Sequence, residues 1–256
     1  MALEVSQALE GMFQAIMDLR SDALSLGPKA SVVFEKAVEE FCREERLPVT
    51  IMSLLSGKIA IATRPDYLMV IDPLNAPAPL EREVESLGVS MALVPCRHDG
   101  MIVPSESRYG LLGNLVSGSY CVGGLGHGVV YHGVLSRFRK QIAEGSKAIS
   151  LAQARIYVDS PDGTDNIRGS PILGLIDIVH GAADAYICHS AAADCILGAC
   201  PLIQEVGGRI TDPDGELLPP SPDLKKKYSF VAAGNQALHK QVVEFLKGNY
   251  KHATQL

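Results

Sequence analysis

Gly169-Ser170-Pro171-Ile172-Leu173-Gly174-Leu175-Ile176-Asp177-Ile178-Val179-His180-Gly181-Ala182-Ala183-Asp184-Ala185-Tyr186 is the stretch whose reading decides the fold. Pro171 suits the first position of a helix, where its missing N–H is no loss. Apolar residues fill much of the stretch that follows, so it reads as buried secondary structure, a helix over Pro171 to Val179. Gly181 stops it, and Ala185-Tyr186-Ile187 reads as a short strand. A further helix is expected from about Ala193 to Val206, shaped by Pro201. Gly207-Gly208 ends it, and Arg209-Ile210-Thr211 is a strand. Helices alternating with strands argue a layered α/β or α+β protein.

Working outward, Val5, Leu9, Met12, Phe13, Ile16 and Leu19 recur at helical spacing and predict a helix over 4–24. A second helix is predicted over 31–45. Leu68 to Ile71 and Val89 to Val94 are apolar runs between turn signals and read as strands, with Ile102 and Val103 continuing a hairpin. The glycine-rich stretch 113–133 matches neither a dinucleotide fingerprint nor a Walker loop, and reads as tight turns in a sheet around a Val129-Val130 strand. Residues 134–153 look helical and 154–158 extended. Ser229 to Ala233 is a last strand, followed by a helix over about 236–246.

The chain has 256 residues, 47% of them apolar and 20% charged, enough to bury a large core without staples. Its formal charge of −6 argues against nucleic acid or an anionic membrane as the main partner, since both need a concentrated basic surface. Lys225-Lys226-Lys227 reads as a solvated loop edge. Six irregularly spaced cysteines with no CxxC pair read as reduced thiols in a cytoplasmic protein. The start lacks a signal-peptide pattern. The apolar stretch 172–193 is interrupted by Asp177, His180, Asp184 and His189, so it is not a membrane span.

The Gly169 to Tyr186 segment resembles the pattern G-S-A-A-L-x-L-x-x-V-A-x-G-x-x-D-A-Y of the inositol monophosphatase / fructose bisphosphatase superfamily. Asp194 and then Glu205-Val206-Gly207-Gly208-Arg209-Ile210-Thr211-Asp212 resemble its W-D-x-A-A-G and E-A-G-G-x-x-T-D. Asp66 to Pro77 resembles W-x-I-D-P-L-D-G-T, and Ser53-Leu54-Leu55-Ser56-Gly57 sits where the family has S-E-E-x-G. The resemblance spans roughly residues 5–245. It implies an αβαβα layered sandwich, treated as one unit over 1–256 with an α+β half near 1–150 and an α/β half near 151–256. It further implies a homodimer and Mg²⁺-dependent hydrolysis of small phosphate monoesters.

The implied chemistry needs clustered carboxylates that hold hard cations, and those cations activate water. Here Leu54 and Leu55 replace the two glutamates, and a leucine has no lone pair to offer. Asp72 is retained, Asn75 replaces the second aspartate, and Ala76 and Pro77 replace the glycine and threonine. Asp194 matches the W-D aspartate only if one residue has been inserted before Glu205; otherwise Cys195 takes that place. Lys29 is a candidate remnant of the family's K-x-D. The remnant pocket is therefore Asp72, Asn75 and Asp194, with Asp72 and Asp194 as candidate metal ligands and Gly169 and Ser170 as candidate cofactor-binding residues.

Each candidate has a bland reading beside it. Asp72 caps a turn, Asp194 caps the following helix, and Asp184 is a turn residue. Asp159, Asp162, Thr164 and Asp165 form a carboxylate loop, either a local cation site or an Asx-rich turn. His127 and His132 lie among glycines without ligand spacing. Two functions are open. One is a binding, assembly or regulatory protein on a retired phosphatase fold, possible ligands being small phosphorylated molecules. The other is an active, Mg-dependent phosphomonoesterase with a reduced or rebuilt metal site.

Overall fold

The computed structural model describes residues 2–75, 86–133, 141–160 and 168–253. Two helices open the chain: α1, Ala2–Leu24, and α2, Ala30–Glu44. Eight strands follow: β1 (Val49–Ser53), β2 (Gly57–Ala60), β3 (Tyr67–Asn75), β4 (Gly88–Pro95), β5 (Tyr109–Asn114), β6 (Tyr120–Gly124), β7 (Gly128–His132) and β8 (Gln141–Ile142). They form one sheet in the order β2-β1-β3-β4-β5-β6-β7-β8. Every neighbouring pair is antiparallel except β1 and β3. The C-terminal part adds β9 (Ile156–Val158), α3 (Pro171–His180), β10 (Ala185–Ala192), α4 (Ala193–Leu197), α5 (Ala199–Glu205), β11 (Arg209–Thr211), β12 (Lys227–Ala233) and α6 (Gln236–Ala253). Its sheet runs β11-β12-β10-β9.

Strand alternation sorts the side chains into layers. Val89, Met91 and Leu93 of β4 point toward α1 and α2, joining Phe13, Phe34 and Ile71 in one core. Ala92 and Val94 point the other way, joining Val70, Leu112 and the helices α3 to α5 in a second core. That core continues onto Tyr186 and Phe230 of the smaller sheet. The far face of this sheet packs Ile187 and Val231 against Leu238 and Val242 of α6. The result is five layers, αβαβα. Because α3 is sandwiched between two sheets, it carries apolar residues all round, as its sequence requires.

The central helices approach the large sheet closely enough to demand glycine. A Cβ on Gly110 would lie 2.0 Å from the Gly198 carbonyl oxygen, and one on Gly198 would lie 2.7 Å from Ser90 Oγ. Gly198 also divides α4 from α5. The single helix expected over 193–206 is therefore two, broken at Gly198 and not at Pro201, which sits in the first turn of α5.

Two other expectations are corrected. Residues 141–153 are not helical: 141–142 extend the large sheet at its edge, and Gly145 takes φ +65 with its Cβ position 2.6 Å from the Gly234 carbonyl. Residues 134–140 of that expected helix lie outside the described residues. Ile102 does not extend a hairpin; it bridges to Ser221 on the other side of the molecule, with both backbone hydrogen bonds made. The glycine-rich stretch does form turns of the β5-β6-β7 meander, with Gly126 and Gly128 at positive φ. No helix among the described residues is long and apolar enough to cross a membrane.

Candidate functional site

The site is assembled where the inner face of β3 meets α4. Asp72 shares that face with Val70, and a bulge in the β3–β4 pairing falls between Asp72 and Asn75. The bulge re-aims Asn75 toward Asp72, a common use of this irregularity beside functional sites. From the other side, α4 presents Asp194 and Cys195 in its first turn. Asp72 is 9% exposed, Asp194 2% and Cys195 3%. One ligand atom from each of the three lies within 4.8 Å of the others.

A hydrogen-bond network closes this cluster. Asn75 Nδ2 donates to Asp72 Oδ2 at 2.9 Å and to Cys195 Sγ at 3.0 Å. The Cys195 thiol donates to Asp72 Oδ2 at 3.3 Å. Ser170 Oγ donates to Asn75 Oδ1 at 2.6 Å. Ser170 stands at the N-cap of α3 but makes no capping bond with its side chain. Its hydroxyl is committed to the cluster instead. Asp194 Oδ1 accepts the backbone N–H of Cys195 at 3.0 Å.

Two carboxylates buried together cannot both ionise cheaply. Burial costs several kcal/mol per ion, and hydrogen bonds to a charge return about 1.5–3 kcal/mol each. Asp72 receives two side-chain donors, which oppose the upward pull of burial on its pKa. Asp194 receives the neighbouring backbone N–H, with the Cys195 Sγ 3.8 Å away, and burial and then the Asp72 charge push its pKa up. Burial thus favours the protonated form of both carboxylates, and the Asp72 charge adds to that pull at Asp194. Burial also holds the Cys195 thiol well above its usual range, so without a cation it stays protonated and can donate.

The other sequence candidates fall away from this point. Leu54 and Leu55 do not plug a cavity; they are 43% and 49% exposed, on a turn whose N–H groups at Leu55 and Ser56 are held by Ser53 Oγ. Ser53 in turn donates to the buried Glu35 of α2. Asp72 is a strand residue and not a turn cap. Asp194 is not an N-cap either, since Ala192 holds that position. Asp184 is the expected turn residue, accepting from Ser146 Oγ and the Arg155 N–H. His127 stacks on Tyr109 and His132 on Tyr120, away from the cluster. Lys29 is exposed. Gly169 has φ +71 just before Ser170. Asp159 is buried and bonded to the Tyr186 hydroxyl. Ala76, Pro77, Asp162, Thr164 and Asp165 lie outside the described residues. Sequence reasoning weighed Asp194 and Cys195 as alternatives, whereas both reach the cluster.

No family model matches the chain. It is 25% identical over 213 residues to the fructose-1,6-bisphosphatase/inositol-1-monophosphatase of Methanothermobacter thermautotrophicus, covering 78% of this chain and 76% of that protein. The inositol monophosphatase-II of Staphylococcus aureus superposes with a TM-score of 0.75 at 16% identity, covering 98% of this chain and 97% of that one. The chain has the layered fold of the inositol monophosphatases. Another solved structure, the extragenic suppressor protein suhB of Bartonella henselae, gives a TM-score of 0.72 at 18% identity, over 95% of this chain and 98% of that one.

The ligand set of this cluster is atypical for the fold. Magnesium takes six oxygens in near-octahedral array, and a two-metal site needs several carboxylates to hold the pair. Here Asp72 and Asp194 supply two carboxylates, Asn75 turns its N–H inward, Cys195 supplies sulfur, and the Leu54-Leu55 turn supplies nothing. These residues do not fit a magnesium pair.

Proposed function

We propose that this protein has given up two- or three-magnesium phosphomonoester hydrolysis and acts as a binding, assembly or regulatory protein on the phosphatase fold. One observation carries the reading. The buried cluster offers only two carboxylates, Asp72 and Asp194, beside the Cys195 thiol, and the exposed Leu54-Leu55 turn adds no oxygen ligand for a magnesium pair. Function follows the site and not the fold, so the layered fold alone does not restore activity.

A small phosphorylated molecule is the ligand class we propose. Solved structures of the staphylococcal relative are described as bound to inositol monophosphate and to 2′-AMP. Gly169 and Ser170, at the start of α3, are the proposed contacts. A homodimer and a cytoplasmic location belong to the same proposal, the latter resting on six cysteines without a disulfide. So does the division into halves near residue 150.

The competing reading is an active phosphomonoesterase. It is favoured by the survival of Asp72 and Asp194 side by side in a buried position. A hydrolysis screen over inositol phosphates, sugar phosphates and nucleotide bisphosphates, with and without Mg²⁺, separates the two. We expect no magnesium-dependent turnover above that of Asp72→Ala. Turnover that needs magnesium and disappears in Asp72→Ala would establish the enzyme reading instead.

A further inference from the structure

We propose that Asp72, Asp194 and Cys195, with Asn75 as fourth ligand, form a mononuclear site for a thiophilic divalent cation of the zinc class. The inference rests on the reading that the magnesium centre is lost, and goes beyond it by naming what the altered residues select.

Ligand chemistry is the first argument. A thiolate is a poor ligand for magnesium and a good one for zinc, whereas two carboxylates serve either. A thiol set beside two carboxylates therefore changes which ion is preferred as well as how many are held.

Size is the second. With zinc–sulfur bonds of about 2.3 Å and zinc–oxygen bonds of about 2.1 Å, a tetrahedral site has sulfur–oxygen edges of about 3.6 Å. Cys195 Sγ lies 3.3 Å from Asp72 Oδ2 and 3.8 Å from Asp194 Oδ1, straddling that value. Side chains at adjacent helix positions ordinarily point apart. Here the bond from the Cys195 N–H to Asp194 Oδ1 folds the carboxylate back beside the thiol.

Asn75 can complete the tetrahedron. Its amide oxygen and nitrogen are assigned by hydrogen bonding and exchange by a rotation of the side chain. Turned over, Oδ1 faces the three ligands and Nδ2 donates to Ser170 Oγ, which as a hydroxyl accepts as readily as it donates. The pair 2.6 Å apart thus serves both states. Ser90, the register partner of Asp72 on β4, is fully buried on the same sheet face, and its hydroxyl has no hydrogen-bond partner among the described residues. It is a donor available to a carboxylate that turns toward a metal.

Charge is the last argument. The ion pairs of Asp184 and Asp177, with Arg155 and Arg168, lie elsewhere, and among the described residues no basic side chain forms an ion pair with Asp72 or Asp194, the Lys227 charge reaching Asp72 and Cys195 only at longer range. A divalent cation would neutralise the buried carboxylates, and the Cys195 thiol would release its proton to solvent on binding.

The test uses the full chain, stripped with a chelator and titrated with Co²⁺ as a spectroscopic stand-in for zinc. The expected result is one Co²⁺ per chain with a thiolate-to-cobalt charge-transfer band, displaced by stoichiometric Zn²⁺ and not by excess Mg²⁺. Cys195→Ser should abolish the band and weaken binding ~100-fold, and Asp72→Asn should weaken it without moving the band's origin. Cys96→Ser, which alters the exposed thiol, should change nothing. No band in the folded wild type, a band that persists in Cys195→Ser, or equal competition by Mg²⁺ would overturn the proposal. The hydrolysis screen is read separately: magnesium-dependent turnover would refute the loss of catalysis, whatever the cobalt spectrum shows.

Discussion

Asn75 and Cys195 are 120 residues apart in the chain, yet the amide of one donates to the thiol of the other at 3.0 Å. This contact fastens the bulge of β3 to the first turn of α4. Both side chains also reach Asp72 Oδ2, so the three form one closed set of hydrogen bonds.

Restoring the carboxylate should therefore harm the metal-free protein. Asn75→Asp removes both donors and adds a buried negative charge next to Asp72. We expect a loss of about 2–4 kcal/mol in urea unfolding with chelator present, within the range for a broken buried charge network. Unchanged stability would show that the network contributes little.

Asp194 should give the protein a stability that falls with pH. Its folded pKa lies above the unfolded carboxylate value, so the folded state binds more protons across that interval. Its favourable contribution is present in acid and is lost as pH rises above the ordinary carboxylate range. Asp194→Asn should flatten this decline and stabilise the chelated protein most at alkaline pH. Thermal melts across pH check it, and parallel curves for the two proteins would contradict the raised Asp194 pKa.

His239 works in the opposite sense. It is buried against Thr211 Oγ1 at 3.0 Å, and burial, followed by the charge of Arg209, lowers its pKa to about 4. Unfolding exposes a histidine that takes up a proton near pH 6.5, so stability is full above that value and falls as pH drops toward 4. The effect is about 1–2 kcal/mol after allowance for partial solvent screening. Denaturant midpoints of His239→Gln should lose much of this acid limb.

The glycines make a sharper contrast. A Cβ on Gly198 meets Ser90 Oγ at 2.7 Å, the Met91 carbonyl at 2.8 Å and the Leu111 carbonyl at 3.0 Å. Gly198→Ala should cost about 1–3 kcal/mol, since two of the three obstacles are backbone. Gly248 of α6 has nothing within 4 Å of its Cβ position. Gly248→Ala should instead stabilise by about 0.5–1 kcal/mol through helix propensity. Calorimetric melting temperatures moving in the same direction would refute the comparison.

Much of the layering was legible because burial dictates composition. Only a helix covered on both sides carries the run from Ile172 to Val179, and only buried strands carry Val70-Ile71 or Val89 to Val94. The expected helix over 134–153 failed over its described part, where Gly145 takes φ +65 packed against the distant Gly234 carbonyl, a contact that no local pattern announces. The site was half legible. Asp72, Asn75, Ser170 and Asp194 were all named, but the thiol was weighed only as a substitute for Asp194. Their joint presence depends on how the Asp194 carboxylate folds back along α4, a matter of hydrogen bonding and not of spacing. The Ser53–Glu35 pair that anchors the Leu54-Leu55 turn carried no sequence signal at all.

The order of the elements along the chain has a consequence for synthesis on the ribosome. Among the described residues, the face of the large sheet that carries Val70, Ala92, Leu112 and Asp72 packs against α3, α4 and α5. β5 is complete at Asn114 and α5 at Glu205. At about 5–20 residues per second, that apolar face waits roughly 5–20 s for its cover. During this interval the nascent chain presents a half-built core, and either a chaperone or the ribosome surface must shield it until the central helices emerge.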